Sequence, residues 1–565
     1  MKTIRLPFAG EFRRKLRRIG PVVDLYLLLR SPRIEASIWA DYARTRRETR
    51  FLRKARTDAA ADAPVVLVGA LTDWLYELKV LLMLATALRL EGWRPVFLVS
   101  RTTRRAIRYC RAFGIKDFAF YDDLETTASE EVEIRALAPT MLRDPLSFQT
   151  VKELSFGESW IGPQILATVS RMLLAGAPDP QDKATADHIR NLLPDVLRGV
   201  FRGRRVMQSI QPKMLLVNEA NYSFYGVLVD VAIGNGADAI QATQPWRDDA
   251  LMCKRLTKRT RRSHPSSVEP ETMEWIKARP WTEADERQLA DHFRMRYGGE
   301  WYLQGRNQPH VENEAPAAVR HQLGVRTEDK LAVIFSHVLW DANLFYGADL
   351  FDDYGHWLVE TVRAACGNDS VMWLVKLHPA NIWKREAQGV TGRYSEVDLL
   401  EEHVGMLPTH VKLLYPETRI SSLSLYEAAD LGVTVRGTPG MEMPCFGKPV
   451  LTAGTGRYSG LGFTVDSKTA SEYLDRLRHV QGVKPLTPEQ TLLAKRHAKA
   501  VFISRQWQMK SFYSTFKEGP PTGTNHNLRV RARSLAELKE LGDLVAWATW
   551  ARSSKLDFLD PSTQA

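Results

Sequence analysis

The sequence predicts an α/β protein with two doubly wound domains that face a cleft. Short apolar runs without polar alternation, such as 65–68 and 95–99, are separated by helical patterns. This is typical of parallel sheets covered by helices on both faces. This alternation of strand and helix patterns occurs twice, over 64–270 and from 331 to about 466. A chain of 565 residues is also too long for a single hydrophobic core.

The pattern divides the chain into five segments. They are a basic helical N-terminal arm (1–63), a first α/β domain (64–270), an interdomain segment (271–330), a second α/β domain (331–485), and crossover and terminal helices (486–565). Open parallel sheets bind ligands outside the carboxyl ends of their strands. We therefore expect the functional groups in the loops that follow strands.

The strands are expected at regular positions along both domains. In the first domain they are 65–68, 95–99, 118–121, 214–217 and 239–242, and in the second 331–335, 371–376, 411–414, 431–435 and 449–452. Irregular helices are expected over 126–182. Residues 254–270 are basic and have no apolar period, which predicts a surface loop or an interdomain connection. A long helical pattern runs from 488 to 516.

Charge and cysteine content narrow the class of protein. Of the net charge of +12, residues 1–56 hold 16 Lys and Arg against 5 Asp and Glu, so the rest of the chain is nearly neutral. This speaks against a general nucleic-acid-binding surface, which would spread its cations over a groove. The four cysteines lie far apart without metal-ligand spacing, which predicts neither a disulfide framework nor a zinc site and favours a reducing cytoplasm.

The basic arm has two interpretations. Phe12, Leu16 and Ile19 recur at helical spacing among arginines, as in a segment that lies on an anionic membrane surface. The alternative is a solvated basic helix packed on an acidic surface of the protein itself. No apolar stretch is long enough to span a bilayer. We expect a cytoplasmic protein, peripheral to the inner membrane, with an anionic membrane surface as a partner through residues 1–56.

A first motif lies at the end of the strand 371–376. Lys376 and His378 follow a buried strand pattern, and Pro379 restricts the backbone of His378 to an extended conformation. A histidine at that edge can donate a hydrogen bond to a phosphate oxygen. The alternative is a histidine packed against the next loop.

A second motif lies between two predicted strands, over 435–450. Arg436 and Thr438 lie in a glycine-containing turn, and Gly440 and Glu442 lie in the short helix that follows. Amides at a helix start can bind phosphate, and a carboxylate can accept both hydroxyls of a ribose. A helix cap and a structural turn are the alternative. Neither the dinucleotide-binding glycine spacing nor the P-loop spacing is present.

A third motif follows the first strand of the second domain. Ser336 and His337 come directly after 331–335, and we expect them at the same sheet edge as His378 and Thr438. Three adjacent loops with phosphate-compatible groups predict a binding site. A set of hydrogen-bonded loops without a ligand is the alternative.

These residues resemble those of a known family. The tandem α/β architecture, the Lys376–Pro379 strand end and the Arg-Gly-Thr-x-Gly-x-Glu segment beginning at Arg436 are similar to GT-B glycosyltransferases. The narrower resemblance is to bacterial capsule and surface-polysaccharide proteins that include Kdo transferases. The resemblance covers 331–465 well and the first domain in outline. It also implies that the helix near 488–516 crosses back to the first domain.

The resemblance implies roles for the site residues. His378 would contact the phosphate of an activated sugar and Glu442 its ribose, with Ser336, Thr438 and Gly440 assisting. We expect the remaining donor-binding groups to be His337, Lys376 and Arg436. The first domain would hold the acceptor and a general base, for which Asp73, Glu77 and Glu219 follow strands. Asp73 can instead cap a helix, and Glu219 can bond nearby backbone.

The sequence therefore predicts a metal-independent GT-B glycosyltransferase without a cofactor. It would move a sugar from a nucleotide-sugar donor to a glycan or lipid-linked acceptor of a surface or capsular polysaccharide. No DxD metal motif follows a predicted strand. The alternatives are a nucleotide-sugar epimerase or a polyol-phosphate transferase of the same fold, and a non-catalytic membrane-associated adaptor.

Overall fold

The computed structural model of the protein describes most of the chain. It covers residues 25–26, 28–55, 62–72, 74–174, 178–308, 311–340, 344–389, 391–516, 526–554 and 556. Phe12, Leu16 and Ile19 of the predicted arm lie outside the described residues, and so does Asp73.

The first sheet has seven strands in the order β13-β6-β5-β4-β1-β2-β3. Strands β1 to β5 run parallel, whereas β6 and β13 are added antiparallel at one edge. Their bounds are β1 Val65–Gly69, β2 Arg94–Val99, β3 Asp117–Phe120, β4 Met214–Val217, β5 Asp238–Thr243, β6 Ala250–Leu256 and β13 Trp507–Gln508.

Helices cover both faces of this sheet. Val66 and Val68 of β1 pack into one core, and Val65 and Leu67 pack into the other, because successive strand residues point to opposite faces. The first core includes the helices Leu75–Leu90, Arg104–Ala112, Leu535–Leu541 and Asp543–Ser553. The second includes Ala128–Met141, Phe148–Lys152, Ile161–Leu173, Lys183–Ile210 and Ser223–Gly234.

The second sheet has six parallel strands in the order β12-β11-β10-β7-β8-β9. They are β7 Leu331–Phe335, β8 Met372–Lys376, β9 Val411–Leu414, β10 Leu431–Thr434, β11 Val450–Thr452 and β12 Val465–Asp466. The helices around them are Tyr354–Cys366, Asn381–Gln388, Ser395–His403, Ser422–Ala428, Pro439–Glu442 and Ala470–Arg478. The predicted fold class, two doubly wound Rossmann-like domains, is confirmed.

Both sheets share one topology. Strand order reverses between β1 and β4 in the first sheet and between β7 and β10 in the second. Ligands of open α/β sheets bind outside the carboxyl ends of the strands at such a switch point. The loops after these four strands are therefore the places to look for a site.

The chain passes twice between the domains. The interdomain segment forms helices Pro270–Ala278, Glu283–Tyr297, Tyr302–Gly305 and Pro316–Gln322. On the return, the helix Pro488–Lys499 continues as a π-helical turn, Ala500–Ser504, and then β13 joins the first sheet. A hairpin of β14 Phe512–Phe516 and β15 His526–Val530 follows. The predicted helix to residue 516 is wrong beyond 504, because the aromatic and hydroxyl-rich residues there favour strands.

The prediction for 254–270 is wrong in part: residues 254–256 belong to β6, whereas 257–269 form a segment without helix or strand that leads to the interdomain helices. Lys254 and Arg255 belong to β6 and are buried, as is Arg261. The sequence shows no apolar period here because charged residues occupy buried positions, where buried hydrogen-bond and ion-pair partners stabilise them. Lys254 Nζ donates to the carbonyl oxygen of His264 (3.2 Å), and Arg261 Nε bonds Asp230 Oδ1 (2.5 Å).

The described part of the arm packs on the first domain through its acidic residues. The helix Pro32–Glu48, followed by the short helix Arg50–Lys54, directs Glu35 to Arg105 and Glu48 to Arg529. Asp41 lies 2.8 Å from Lys79 Nζ. The contact thus has the opposite sign to the expected docking of basic residues on an acidic surface. Within the described residues, no helix is both long and apolar enough to cross a membrane.

Candidate functional site

A cavity of about 410 Å³ opens at the carboxyl edge of the second sheet. The loops after β7, β8 and β10 line it, and these strands surround the switch point. Further lining residues are 246, 264, 296, 297, 299, 305, 307, 308, 311, 346, 354, 384, 422, 426 and 457. The cavity gathers six of the eight predicted donor-binding residues, namely Ser336, His337, Lys376, His378, Arg436 and Thr438.

The lining of this cavity is strongly cationic. Among the described residues it contains three arginines and two lysines, beside three histidines, and no Asp or Glu: Arg296, Arg436, Arg457, Lys376, Lys384, His264, His337 and His378. Cations gathered in a concave, water-poor site concentrate anionic ligands. The volume falls within the range of small-molecule sites. The chemistry therefore suits a phosphorylated ligand.

Lys376 and His378 lie at the end of β8. Burial lowers the pKa of Lys376 to about 8, against the opposing effect of Glu417, so the ammonium is still largely charged at neutral pH. The backbone N–H of Ala380 donates to His378 Nδ1 (3.2 Å). This bond places the ring proton on Nε2, which becomes the nitrogen that can donate to an anion.

Ser336 and His337 follow β7. The hydroxyl of Ser336 is buried and has no hydrogen-bond partner in the described part of the chain. His337 Nε2 accepts the N–H of Val435 (3.3 Å), and the ring stacks on Tyr354. Burial, together with the cationic neighbours, holds the pKa of His337 well below its usual range. We conclude that His337 shapes the wall as a neutral ring.

Arg457 is the clearest candidate for an anion-binding group. Its Nε donates to Ser266 Oγ (2.8 Å) and its Nη1 to the carbonyl oxygen of Arg436 (2.9 Å). Its Nη2 is buried without a hydrogen-bond partner among the described residues. Burial lowers its pKa to about 10, so a guanidinium charge is held at the cavity by two neutral acceptors, with its third nitrogen unsatisfied. An anion in the cavity would complete this group.

Arg436 has a different environment. Its guanidinium forms a buried ion pair with Asp349 and donates through Nε to the carbonyl oxygen of Thr455 (3.0 Å). These contacts join the loop after β10 to the loops after β7 and β11. Arg436 thus lines the cavity, while much of its hydrogen-bonding capacity holds the wall together.

Glu442 and Gly440 do not line the cavity. Glu442 is 0% exposed, and its Oε2 accepts the hydroxyl of Tyr297 (2.7 Å). Arg296 and Tyr297 stand between this carboxylate and the cavity that they line. Glu442 thus faces Arg296 and Tyr297 and not the cavity, and its expected contact with a ribose stays a prediction.

Gly440 lies against an aromatic ring. A Cβ at Gly440 would lie 2.1 Å from the hydroxyl oxygen of Tyr458, which donates to the carbonyl oxygen of Gly437 (2.7 Å). The glycine is required because this ring occupies the space of a side chain. Its contribution is to the shape of the turn that carries Thr438.

Several lining residues were not found from the sequence. Arg457 follows β11 after a turn with two glycines, Gly454 and Gly456, and this strand-end signal could have identified it. The interdomain helix supplies Arg296 and Tyr297, and the supposed surface loop supplies His264. These side chains reach the cavity through tertiary packing, which no local pattern indicates.

Carboxyl groups collect at the switch point of the first sheet. Glu77 lies in the first turn of the helix after β1, and Glu219 follows β4. The hydroxyl of Tyr225 accepts the N–H of Leu71 (2.9 Å), which ties the two loops together. Glu219 Oε1 accepts the N–H groups of Ala220 and Asn221, both at 2.7 Å.

The environment of Glu77 favours proton transfer near neutral pH. Burial and, after it, the charge of Glu219 raise its pKa to about 7, against the opposing effect of Arg171. The two backbone N–H groups on Glu219 stabilise its ionised form. The pair thus combines one carboxylate held by backbone N–H groups with one whose pKa of about 7 suits proton transfer at neutral pH.

The carboxyl pair and the cationic cavity are linked across the cleft. Tyr346 lines the cavity, and its hydroxyl accepts a hydrogen bond from Asn221 Nδ2. The ring of His264 lies 4.8 Å from that of Tyr346. The negative charge of Glu219 contributes to raising the pKa of Tyr346, after burial. The switch points of the two sheets thus face one cleft.

Comparison with known proteins gives matches among solved structures. No protein-family model matches the chain, and no curated protein matches it. A β-Kdo 2,7 transferase, KpsC of Thermosulfurimonas dismutans, is similar at 15% identity over 61% of this chain and 88% of that one, with a TM-score of 0.31. The β-Kdo 2,4 transferase of the same KpsC is similar at 14% identity over 50% and 79%, with a TM-score of 0.28.

A third match belongs to another enzyme class. The UDP-GlcNAc 2-epimerase of Neisseria meningitidis, bound to UDP-GlcNAc, is similar at 10% identity over 78% of this chain and 98% of that one, with a TM-score of 0.24. Kdo transferases, which the motif resemblance includes, are thus among the matches. The fold class itself rests on the strand order of the two sheets.

Proposed function

We propose that the protein is a glycosyltransferase that moves a sugar from a nucleotide-activated donor to a surface or capsular polysaccharide or a glycolipid. One observation carries the proposal. A cavity whose described lining holds three arginines and two lysines and no acid lies at the switch point of one sheet and faces a carboxyl pair at the switch point of the other. The proposed acceptor, a surface or capsular polysaccharide or a glycolipid, rests on the resemblance of the Lys376–Pro379 and Arg436–Glu442 segments to capsule and surface-polysaccharide proteins.

The cavity would hold the donor phosphates. Lys376 supplies an ammonium, His378 an Nε2–H and Arg457 a buried guanidinium nitrogen. When the bond between the anomeric carbon and the phosphate oxygen breaks, both electrons stay on that oxygen. Fixed donors aimed at this developing charge stabilise the transition state. The same donors neutralise charge without a metal ion, so we propose metal-independent transfer.

Glu77 would act as the general base in the first domain. The acceptor hydroxyl oxygen forms the new bond to the anomeric carbon as the phosphate leaves, and its proton passes to a Glu77 carboxylate oxygen. The charge of Glu219 contributes to the raised pKa of Glu77. This assigns proton transfer to Glu77 and a positioning role to Glu219, which was one of the three candidate bases from the sequence. Direct displacement inverts the anomeric configuration.

Product analysis tests this proposal. A thermal-shift screen of cytidine, uridine, guanosine and adenosine nucleotides selects the base, and the matching radiolabelled nucleotide sugars are then incubated with glycan and glycolipid acceptors. We expect the label in the acceptor fraction, and not in an epimerised nucleotide sugar. Glu77→Gln should abolish transfer while nucleotide binding persists, with exposed Glu133→Gln as the matched control. Failure of every nucleotide to bind would contradict the proposal.

A further inference from the structure

The arm helix Pro32–Glu48 separates its charges by face. The segment 28–55 contains three acidic residues, and each is paired with a cation outside the arm: Glu35 with Arg105 and Asp41 with Lys79 of the first domain, and Glu48 with Arg529 of β15. Seven of the eight Lys and Arg residues of the same segment are exposed. The helix therefore presents an uncompensated cationic face to solvent.

Apolar side chains are exposed within the same segment. Leu29 is 75% exposed, Leu28 and Trp39 are each 43% exposed, and Ile34 is 37% exposed. The guanidinium of Arg108, from the helix Arg104–Ala112, lies 4.4 Å from the ring centroid of Trp39. Exposed large apolar residues among cations are uncommon on a surface that meets only water.

We propose that this face is a docking surface for an anionic lipid bilayer. The arm face is defined here as Leu28, Leu29, Arg33, Ile34, Trp39, Arg44, Arg46, Arg47 and Arg50. Its arginines would pair with headgroup phosphates, and Trp39 and the leucines would enter the headgroup and acyl boundary. The phosphates of a nucleic acid would pair with the arginines but would leave the leucines exposed to water. A bilayer would contact both groups, so it fits the arm face better.

The arm is firmly anchored to the domain that it would bring to the membrane. Lys79 Nζ contacts Asp41 (2.8 Å) and Asn527 Oδ1 (2.9 Å), and the hydroxyl of Tyr109 donates to Asp41 Oδ2 (2.5 Å). Lys79 lies two residues after Glu77 on the helix Leu75–Leu90. A membrane-bound arm would thus hold the first-domain side of the cleft close to a lipid-linked molecule.

Vesicle sedimentation with the full chain tests the inference. We expect the protein to pellet with vesicles of phosphatidylcholine containing about one third phosphatidylglycerol, and to stay in solution with pure phosphatidylcholine. The variant Arg44→Gln/Arg47→Gln/Arg50→Gln should lose about a hundredfold in partitioning, since each cation contributes about fivefold. Part of the vesicle binding should persist at high salt, because it is apolar, and Trp39→Ser should lose that part.

The controls separate this inference from the proposed function. The matched triple variant Lys277→Gln/Arg287→Gln/Arg478→Gln removes three exposed cations elsewhere and should pellet like the wild type. All variants should bind nucleotide in solution as the wild type does, whatever reaction the protein catalyses. Equal pelleting of the two triple variants would overturn the inference. Tighter binding to an oligonucleotide than to the anionic vesicles, through the same arginines, would also overturn it.

Discussion

Arg296 Nη1 lies 2.9 Å from Glu442 Oε1, and this ion pair stands behind the wall of the cationic cavity. Glu442 is fully buried, while Arg296 and Tyr297 line the cavity. The carboxylate thus fixes two residues of the wall, and the sequence motif Gly-x-Glu marks a positioning residue in this structure. Its loss would affect the fold before it affects the ligand.

Glu442→Ala should mainly destabilise the protein. The change leaves the buried charge of Arg296 uncompensated, and breaking a buried ion pair costs about 3–5 kcal/mol. Urea unfolding followed by tryptophan fluorescence checks this expectation. Glu442→Gln, which keeps an acceptor for Tyr297, should lose less stability. A large loss of nucleotide affinity in Glu442→Gln, with unchanged stability, would instead indicate a direct contact with the ligand.

Nucleotide affinity should fall as the pH rises above 8. The pKa of Lys376 in the free protein is about 8, and a bound phosphate would raise it, so binding takes up a proton above that pH. The dissociation constant should increase about tenfold between pH 8 and pH 9.5, by the linkage between protonation and binding. Calorimetry over this range measures it.

Lys376→Met should remove this pH dependence and bind more weakly at pH 7. Exposed Lys484→Gln is the matched control and should behave as the wild type. An unchanged pH profile in Lys376→Met would mean that another group takes up the proton.

The sequence predicted the second domain better than the first-domain chemistry. Buried strands ending in Ser336, Lys376 and Arg436 could be read directly, because strand ends in a parallel sheet meet at one edge. The positions of Arg296 and His264 in the site could not be predicted, because tertiary packing brings them to the cavity from distant segments of the chain. The buried cations Lys254 and Arg255 break the apolar period of β6, so that strand looked like a loop.

The pH dependence of transfer should reveal the carboxyl pair. With Glu77 as base, kcat/KM should rise with pH through about 7, because the pKa of Glu77 is raised by burial and by Glu219. Glu219→Gln removes one negative charge and should move the rise to lower pH, while burial keeps it above the ordinary range of a carboxyl group. Initial rates at saturating acceptor, measured from pH 5 to 9, test both. A rise at the same pH in Glu219→Gln would contradict the coupling.

The anchor of the arm should contribute strongly to stability. Lys79 is 1% exposed and Asp41 5% exposed. Asp41→Ala should cost about 3–5 kcal/mol, because it leaves the lysine buried without a counter-charge. The double variant Asp41→Leu/Lys79→Met should lose less than Asp41→Ala, as apolar residues replace the pair. Chemical unfolding of the wild type, Asp41→Ala and the double variant measures these free energies. A double variant less stable than Asp41→Ala would contradict the expectation.

The most direct test of the account is the nucleotide affinity of Arg457→Gln. The buried Nη2 of Arg457 has no hydrogen-bond partner among the described residues, and hydrogen bonds to charged groups contribute about 1.5–3 kcal/mol. Calorimetry should show a loss of roughly 10- to 150-fold in affinity by this scale, with part of it restored in Arg457→Lys and none lost in exposed Arg478→Gln. An unchanged affinity in a folded Arg457→Gln protein would contradict the assignment of the cavity to a nucleotide phosphate.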